Sequence, residues 1–168
     1  MIQPTEYKRI ERVDTHCFAC GRENPHGLHM RFETNEKDIR SFITVPSHMR
    51  GWSNLVHGGI LSTICDEIMS WSAIHLLRRF ILTRNLKVNF LKPVFIEQKL
   101  TARGFVKERI DERNALVGAE ILDQNGEICT TAHGEFVLFT PESFRKFKIM
   151  PDELIDEISA AFQEDEPK

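Results

Sequence analysis

Hydrophobic positions follow two different periods along the chain. In HMRFETN, residues 29–35, Met30 and Phe32 alternate with polar neighbours, and after the NEKD turn the run IRSFITVPS brings Ile39, Phe42, Ile43 and Val45. That alternation predicts a β-hairpin. From Gly58 to about residue 77 the period lengthens: Ile60, Leu61, Ile64, Cys65, Ile68, Met69, Trp71 and Leu76 cover more than a single stripe. A helix apolar on most sides is surrounded by protein. Four strand-like stretches follow at 83–96, 99–110, 115–122 and 127–139. The first alternates through Leu86, Val88 and Phe90 until Pro93 interrupts it. The second sets Leu100, Ala102, Gly104, Val106 and Ile110 on one face, against Thr101, Arg103, Phe105, Lys107 and Arg109 on the other. Asp123-Gln124-Asn125-Gly126 is a strong hairpin signal between the last two stretches, and DERN at 111–114 supplies another turn.

Two strands, one long buried helix and a four-stranded antiparallel meander predict an α+β fold. Residues 1–16 are charged and weakly patterned, an extended lead-in or short helix. CFACGRENPHGL, 17–28, holds Gly21, Pro25 and Gly27 and reads as a structured loop. PDELIDEISAAFQ, 151–163, carries Leu154, Ile155, Ile158, Ala161 and Phe162 at helical spacing. It is expected as an amphipathic C-terminal helix packed on the sheet or on a neighbour. The layout is then an N-terminal extension over 1–16, one domain over 17–140 and a helical extension over 141–168.

Composition narrows the functional classes. At 168 residues, 41% hydrophobic and 28% charged, the chain is sized for one soluble domain with a real core. A net charge of −3 argues against a nucleic-acid partner, whose binder would be basic. No apolar run approaches the ~20 residues of a membrane span, so no membrane partner is expected. MIQPTEYKRIERVD has no signal-peptide h-region. Cysteines at 17, 20, 65 and 129 are too few and too irregular for a disulfide scaffold, and a reducing, cytoplasmic setting is the expectation.

The anomaly lies inside the helix, where Asp66 and Glu67 sit among apolar residues. A buried carboxylate is costly unless it is paired or used. Gly58 and Gly59 open the same helix and leave backbone N–H groups unpaired, a ready anion site. His57-Gly58-Gly59, an acid nine positions after the histidine, the strand phrase VNFLKPV at 88–94 and the CFACGRENPHGL lead-in together resemble the hotdog-fold acyl-CoA thioesterases of the PaaI-like type. The resemblance covers roughly residues 17–139. It implies an antiparallel sheet wrapped around one long helix and hydrolysis of an acyl-CoA to free acid and CoA, with no metal or organic cofactor. It also maps the oxyanion donor to the Gly58 N–H and the catalytic acid to Asp66, as nucleophile or general base.

Geometry adds a demand of its own. Gly58 and Asp66 are eight residues apart, roughly 12 Å along a helix, whereas reacting groups must stand ~3–3.5 Å apart. If both act on one thioester they come from different chains, so a homodimer is expected, and the resemblance implies the same arrangement, often as a dimer of dimers. Ser70, one turn beyond Asp66, can orient it. The resemblance adds Thr83 as a helper hydroxyl and Asn54 as an asparagine preceding the HGG. His57 is structural as readily as functional. Gly59 and Glu67 border the same substrate region, with Glu67 capping or pairing nearby.

Arg103 and Lys107, on one strand face with Arg109, form a candidate edge for CoA phosphates, with Lys87 and Lys92 as alternatives. Trp52, Trp71 and Phe80 are candidates for shaping the acyl pocket. His16, Cys17, Cys20, His26 and His29 crowd one loop, but a zinc site wants four convergent ligands, commonly as two spaced pairs. The chain has a single Cys-x-x-Cys and no second pair, so no metal is expected. A hydratase or dehydratase on the same fold would be signalled by an HFPxxPxxPG-like phrase, which is missing. A non-catalytic acyl-CoA sensor of the transcriptional kind would need a DNA-binding segment, for which residues 1–16 are too short.

Overall fold

The computed structural model describes residues 6–11 and 14–164, with side chains only up to 162 at the C-terminal end. Its elements are β1 (Lys8–Ile10), β2 (Phe32–Thr34), β3 (Ile39–Thr44), α1 (Gly58–Leu77), β4 (Phe80–Phe90), β5 (Lys99–Arg109), β6 (Asn114–Leu122), β7 (Ile128–Phe139), α2 (Pro141–Arg145) and α3 (Asp152–Glu164). The strands form one seven-stranded antiparallel sheet in the order β1-β2-β3-β5-β6-β7-β4, and α1 packs across it. Among the described residues no helix is long and apolar enough to cross a membrane.

Two local expectations need correction. The last four strands are not a simple meander: β5, β6 and β7 are consecutive hairpins, but β4 pairs with β7 and forms the far edge. Hydropathy specifies strands, not their neighbours, and α1 displaces β4 to the opposite end of the sheet from β3. Ile110 does not join the buried face of β5. A register shift between Val106 and Glu108 breaks the alternation, and Ile110 lies beyond the strand, exposed. Of the two readings of the N-terminal lead-in, the extended one describes Lys8–Ile10, which pair with Phe32–Thr34 at the sheet edge.

The floor beneath α1 is built of small residues. Ala102 of β5, Ala115 and Ala119 of β6 and Ala132 of β7 are all buried. Gly104 marks the closest approach, since a Cβ there would stand 2.6 Å from the Ile68 carbonyl oxygen and would also strike the Ser72 hydroxyl. The helix can lie this low only because β5 offers no side chain at that point. At its far end α1 stops at Arg78, in the left-handed region with φ 54°, where the Glu36 carboxylate meets both His75 Nε2 at 3.1 Å and Arg78 Nη2 at 3.2 Å. The β2–β3 turn thereby clasps the end of the helix.

A second small core closes that same end. Phe80, the first residue of β4, stacks on Phe144 of α2 with ring centroids 4.8 Å apart, and Ile155 and Ile158 of α3 complete the cluster. The C-terminal helix therefore packs on its own chain's sheet, through a short α2 that hydropathy alone does not reveal. Gly104→Ala is expected to destabilise the protein by about 1–3 kcal/mol through overpacking. Denaturant unfolding measures this; an unchanged midpoint would mean that α1 does not rest on β5 as described.

Candidate active site

His57 starts the site by ending the loop before α1. Its backbone is extended (φ −62°, ψ 135°) and its Nδ1 accepts a hydrogen bond from the Gly59 N–H at 2.9 Å. An N-cap role explains the histidine and fixes its tautomer, because an accepting Nδ1 carries no proton. It also removes Gly59 as a free donor. The Gly58 N–H, by contrast, has no partner among the described residues and points out of the first turn, where the helix dipole is positive. The Phe90 ring of β4 forms a wall there, 3.4 Å from where a Gly58 side chain would begin.

Gly59, Thr63, Asp66 and Ser70 follow one another along one helix face. Asp66 is half-buried, and Thr83 Oγ1 of β4 donates to its Oδ1 at 3.0 Å. Burial pushes the Asp66 carboxyl above the usual carboxylate range, and the Thr83 hydrogen bond opposes that rise. A register shift in the β4–β7 pairing falls between Thr83 and Asn85, the kind of bulge that re-aims a side chain. Ser70 is half-buried one turn beyond Asp66 and donates to no other residue among those described.

Glu67, the neighbouring acid, has a different environment. Its Oε1 accepts from Trp71 Nε1 at 3.1 Å and lies 3.7 Å from Cys17 Sγ of the N-terminal loop. Burial, then the nearby Cys17 sulfur, push its pKa up to about 7. Cys17 is lowered to about 5, chiefly by a hydrogen bond from the Cys20 thiol, which in turn is raised by that contact and by burial. The link from Cys17 to Glu67 spans fifty residues of sequence, and no local spacing signals it.

The other candidates scatter. Asn54 is exposed in the loop before α1, where its carbonyl accepts from the Ile96 N–H at 2.9 Å. Arg103 and Lys107 lie on the outer face of β5, opposite the face that meets α1. Arg103 pairs there with Glu120 at 3.0 Å, and the Lys107 stem lies over Gly118. Within one chain neither reaches the Gly58–Asp66 face, because alternation along β5 turns them away from it. Lys92 is paired with Glu127 at 2.6 Å. Trp71 and Phe80 are core residues, whereas Trp52 is 87% exposed. An open pocket of about 450 Å³ does border the helix start, lined by Phe18, His26, Arg50, His57 and Thr63 among others.

Residues 53–130 match the model of the thioesterase superfamily. Among curated proteins, none matches the sequence. A crystallised thioesterase superfamily protein superposes with a TM-score of 0.67 at 22% identity, over 73% of this chain and 60% of its own length, so the chain spans less than two thirds of that relative. The Escherichia coli PaaI protein from the phenylacetic acid degradation operon gives 0.61 at 20% identity, over 67% of this chain and 81% of its own. A hypothetical thioesterase from Streptococcus pneumoniae, crystallised with coenzyme A, gives 0.57 at 21% identity, over 61% and 79%. The Streptococcus protein has also been crystallised with a threonine and, separately, an aspartate changed to alanine.

His57→Ala is expected to cost about 1 kcal/mol of stability through loss of the helix cap. His57→Asn, which keeps a capping acceptor, should restore most of it. Thermal unfolding of the two variants distinguishes a cap from an imidazole needed for any other reason; equal melting points would contradict the cap.

Proposed function

We infer that this hotdog-fold chain, a thioesterase-superfamily protein over residues 53–130, hydrolyses an acyl-CoA thioester to a free acid and CoA. The observation that carries this reading is the division of α1 into an unpartnered N–H at Gly58 and a desolvated carboxylate at Asp66, on one continuous helix. Attack on a thioester carbonyl develops an oxyanion, which a preorganised N–H at a helix start stabilises. Asp66 attacks the carbonyl or takes a proton from the attacking water, with Thr83 holding one carboxylate oxygen and leaving the other free. The aspartate and threonine altered in the Streptococcus thioesterase are the same residue types as this pair.

Roughly 12 Å separates the two groups on one helix, so a second copy of the chain completes the site. An exposed apolar edge supports a two-fold contact there: β4 is the last strand of the sheet, and Phe90 and Leu91 at its end are 55% and 58% exposed. Antiparallel pairing across β4 brings Gly58 of one chain toward Asp66 of the other. CoA is the carrier suggested by the coenzyme-bound neighbour, and Arg50 and His26, bordering the open pocket at the helix start, supply cationic and hydrogen-bonding groups for its phosphates.

The test is a panel of acyl-CoA substrates assayed with the wild type, Asp66→Asn and Gly58→Pro. Proline at the first helical position removes the N–H while fitting the helix. Each variant is expected to lose about 100-fold or more in kcat while remaining dimeric by analytical ultracentrifugation. Thr83→Ala should cost less, about tenfold, as a residue that only positions the acid. Wild-type protein that binds acyl-CoA tightly and hydrolyses none of the panel would overturn the reading in favour of a sensor.

A further inference from the structure

Cys17, Cys20 and Glu67 play no part in the proposed chemistry, yet two chain segments converge to bring them together. One ligand atom from each lies within 4.8 Å of the others. The Cys-x-x-Cys-Gly turn is built for this. The Gly21 N–H donates to the Cys17 carbonyl at 2.8 Å, and a side chain at Gly21 would strike the Cys17 and Thr15 backbone at 2.5 Å, so the loop folds tightly enough to turn both sulfurs the same way. The loop is also pinned to the fold, with the Leu28 and Met30 N–H groups donating to the Phe18 and Ala19 carbonyls at 2.9 Å each.

We propose that Cys17, Cys20 and Glu67 form a zinc site with one open position, tying the N-terminal loop to the helix that carries Asp66. Two thiolates and a carboxylate match the ligand preferences of Zn²⁺, and three protein ligands plus a solvent position is one of its standard arrangements. Cys20 is 1% exposed and closes the site on the inside, whereas Cys17 is half-buried and leaves an outer approach for the fourth ligand. Among the described residues no histidine joins these three ligands, and His16 turns to Glu23 at 3.3 Å. Glu67 is the ligand that a search for a second cysteine pair overlooks, because it comes from α1. The Trp71 indole N–H donates to Oε1 of that carboxylate and fixes its orientation, as outer partners of metal ligands do. Zn²⁺ binding deprotonates whichever of the two thiols is still protonated and releases those protons to solvent.

The experiment reads metal, not activity, and so stands apart from the hydrolase assay. Full-length reduced protein is loaded with Zn²⁺, passed through a desalting column and analysed for metal, then the loading is repeated with Co²⁺ and the absorption spectrum recorded. About one Zn²⁺ per chain is expected, together with a sulfur-to-cobalt charge-transfer band and tetrahedral d–d bands. Cys17→Ser with Cys20→Ser should abolish the band, and Glu67→Gln should shift the d–d bands while keeping the charge-transfer band. Because the double variant can fail to fold, thiol titration of the wild type gives a second measure, with two thiols protected by Zn²⁺ and released by a chelator. Substoichiometric metal after loading, a cobalt band that survives in a folded double variant, or Cys17–Cys20 disulfide formation in a glutathione buffer despite Zn²⁺ would each overturn the site.

Discussion

The structure depends on how closely α1 can lie on the sheet. Ala102, Gly104, Ala115, Ala119 and Ala132 give the strands a low floor, and Gly104 in particular admits the Ile68 carbonyl and the Ser72 hydroxyl where any side chain would collide. A helix seated that low buries Ile64, Cys65, Ile68 and Met69 completely. Its stripe from Gly59 through Thr63 and Asp66 to Ser70 stays off the sheet, and Asp66 there meets Thr83 of β4. The position of the acid is thus a consequence of packing on the opposite side of the same helix.

Adjacent acids on that helix have separate fates because about 100° of rotation separates consecutive residues. Asp66 meets the Thr83 hydroxyl at the sheet edge, and Glu67 meets the Trp71 indole and the Cys17 sulfur under the N-terminal loop. Desolvation raises both carboxyls, and the Thr83 hydroxyl opposes the rise at Asp66 as the Trp71 indole does at Glu67. The cap at His57 belongs to the same arrangement. By occupying the Gly59 N–H it leaves the Gly58 N–H as the unpartnered donor of the first turn.

What could be read in the sequence followed what is local. Two glycines and an apolar run on most sides delimit α1 at Gly58–Leu77, and alternation finds β3, β5, β6 and β7 to within a residue or two. Strand order is not local, so β4 was expected beside β5 and lies beside β7. The bulge after Val106 is a backbone event with no hydropathy signature, hence the misplaced Ile110. Asp66 and Thr83 were singled out by a likeness of motif, and the structure brings them within 3.0 Å. Arg103 and Lys107 share a strand face and a charge, and that face is the one alternation turns away from α1. The meeting of Cys17 with Glu67 needs the folded chain, because neither residue's surroundings in sequence point to the other.

The central claim is that one catalytic site draws on two chains, and subunit mixing tests it most directly. Asp66→Asn and Gly58→Pro chains are each purified, mixed, dissociated in mild denaturant and refolded together. If Gly58 of one chain serves Asp66 of the other, each mixed dimer regains one intact site and thioester hydrolysis reappears well above either parent. A mixture no more active than its parents, with mixed dimers demonstrated by mass spectrometry, would contradict the account.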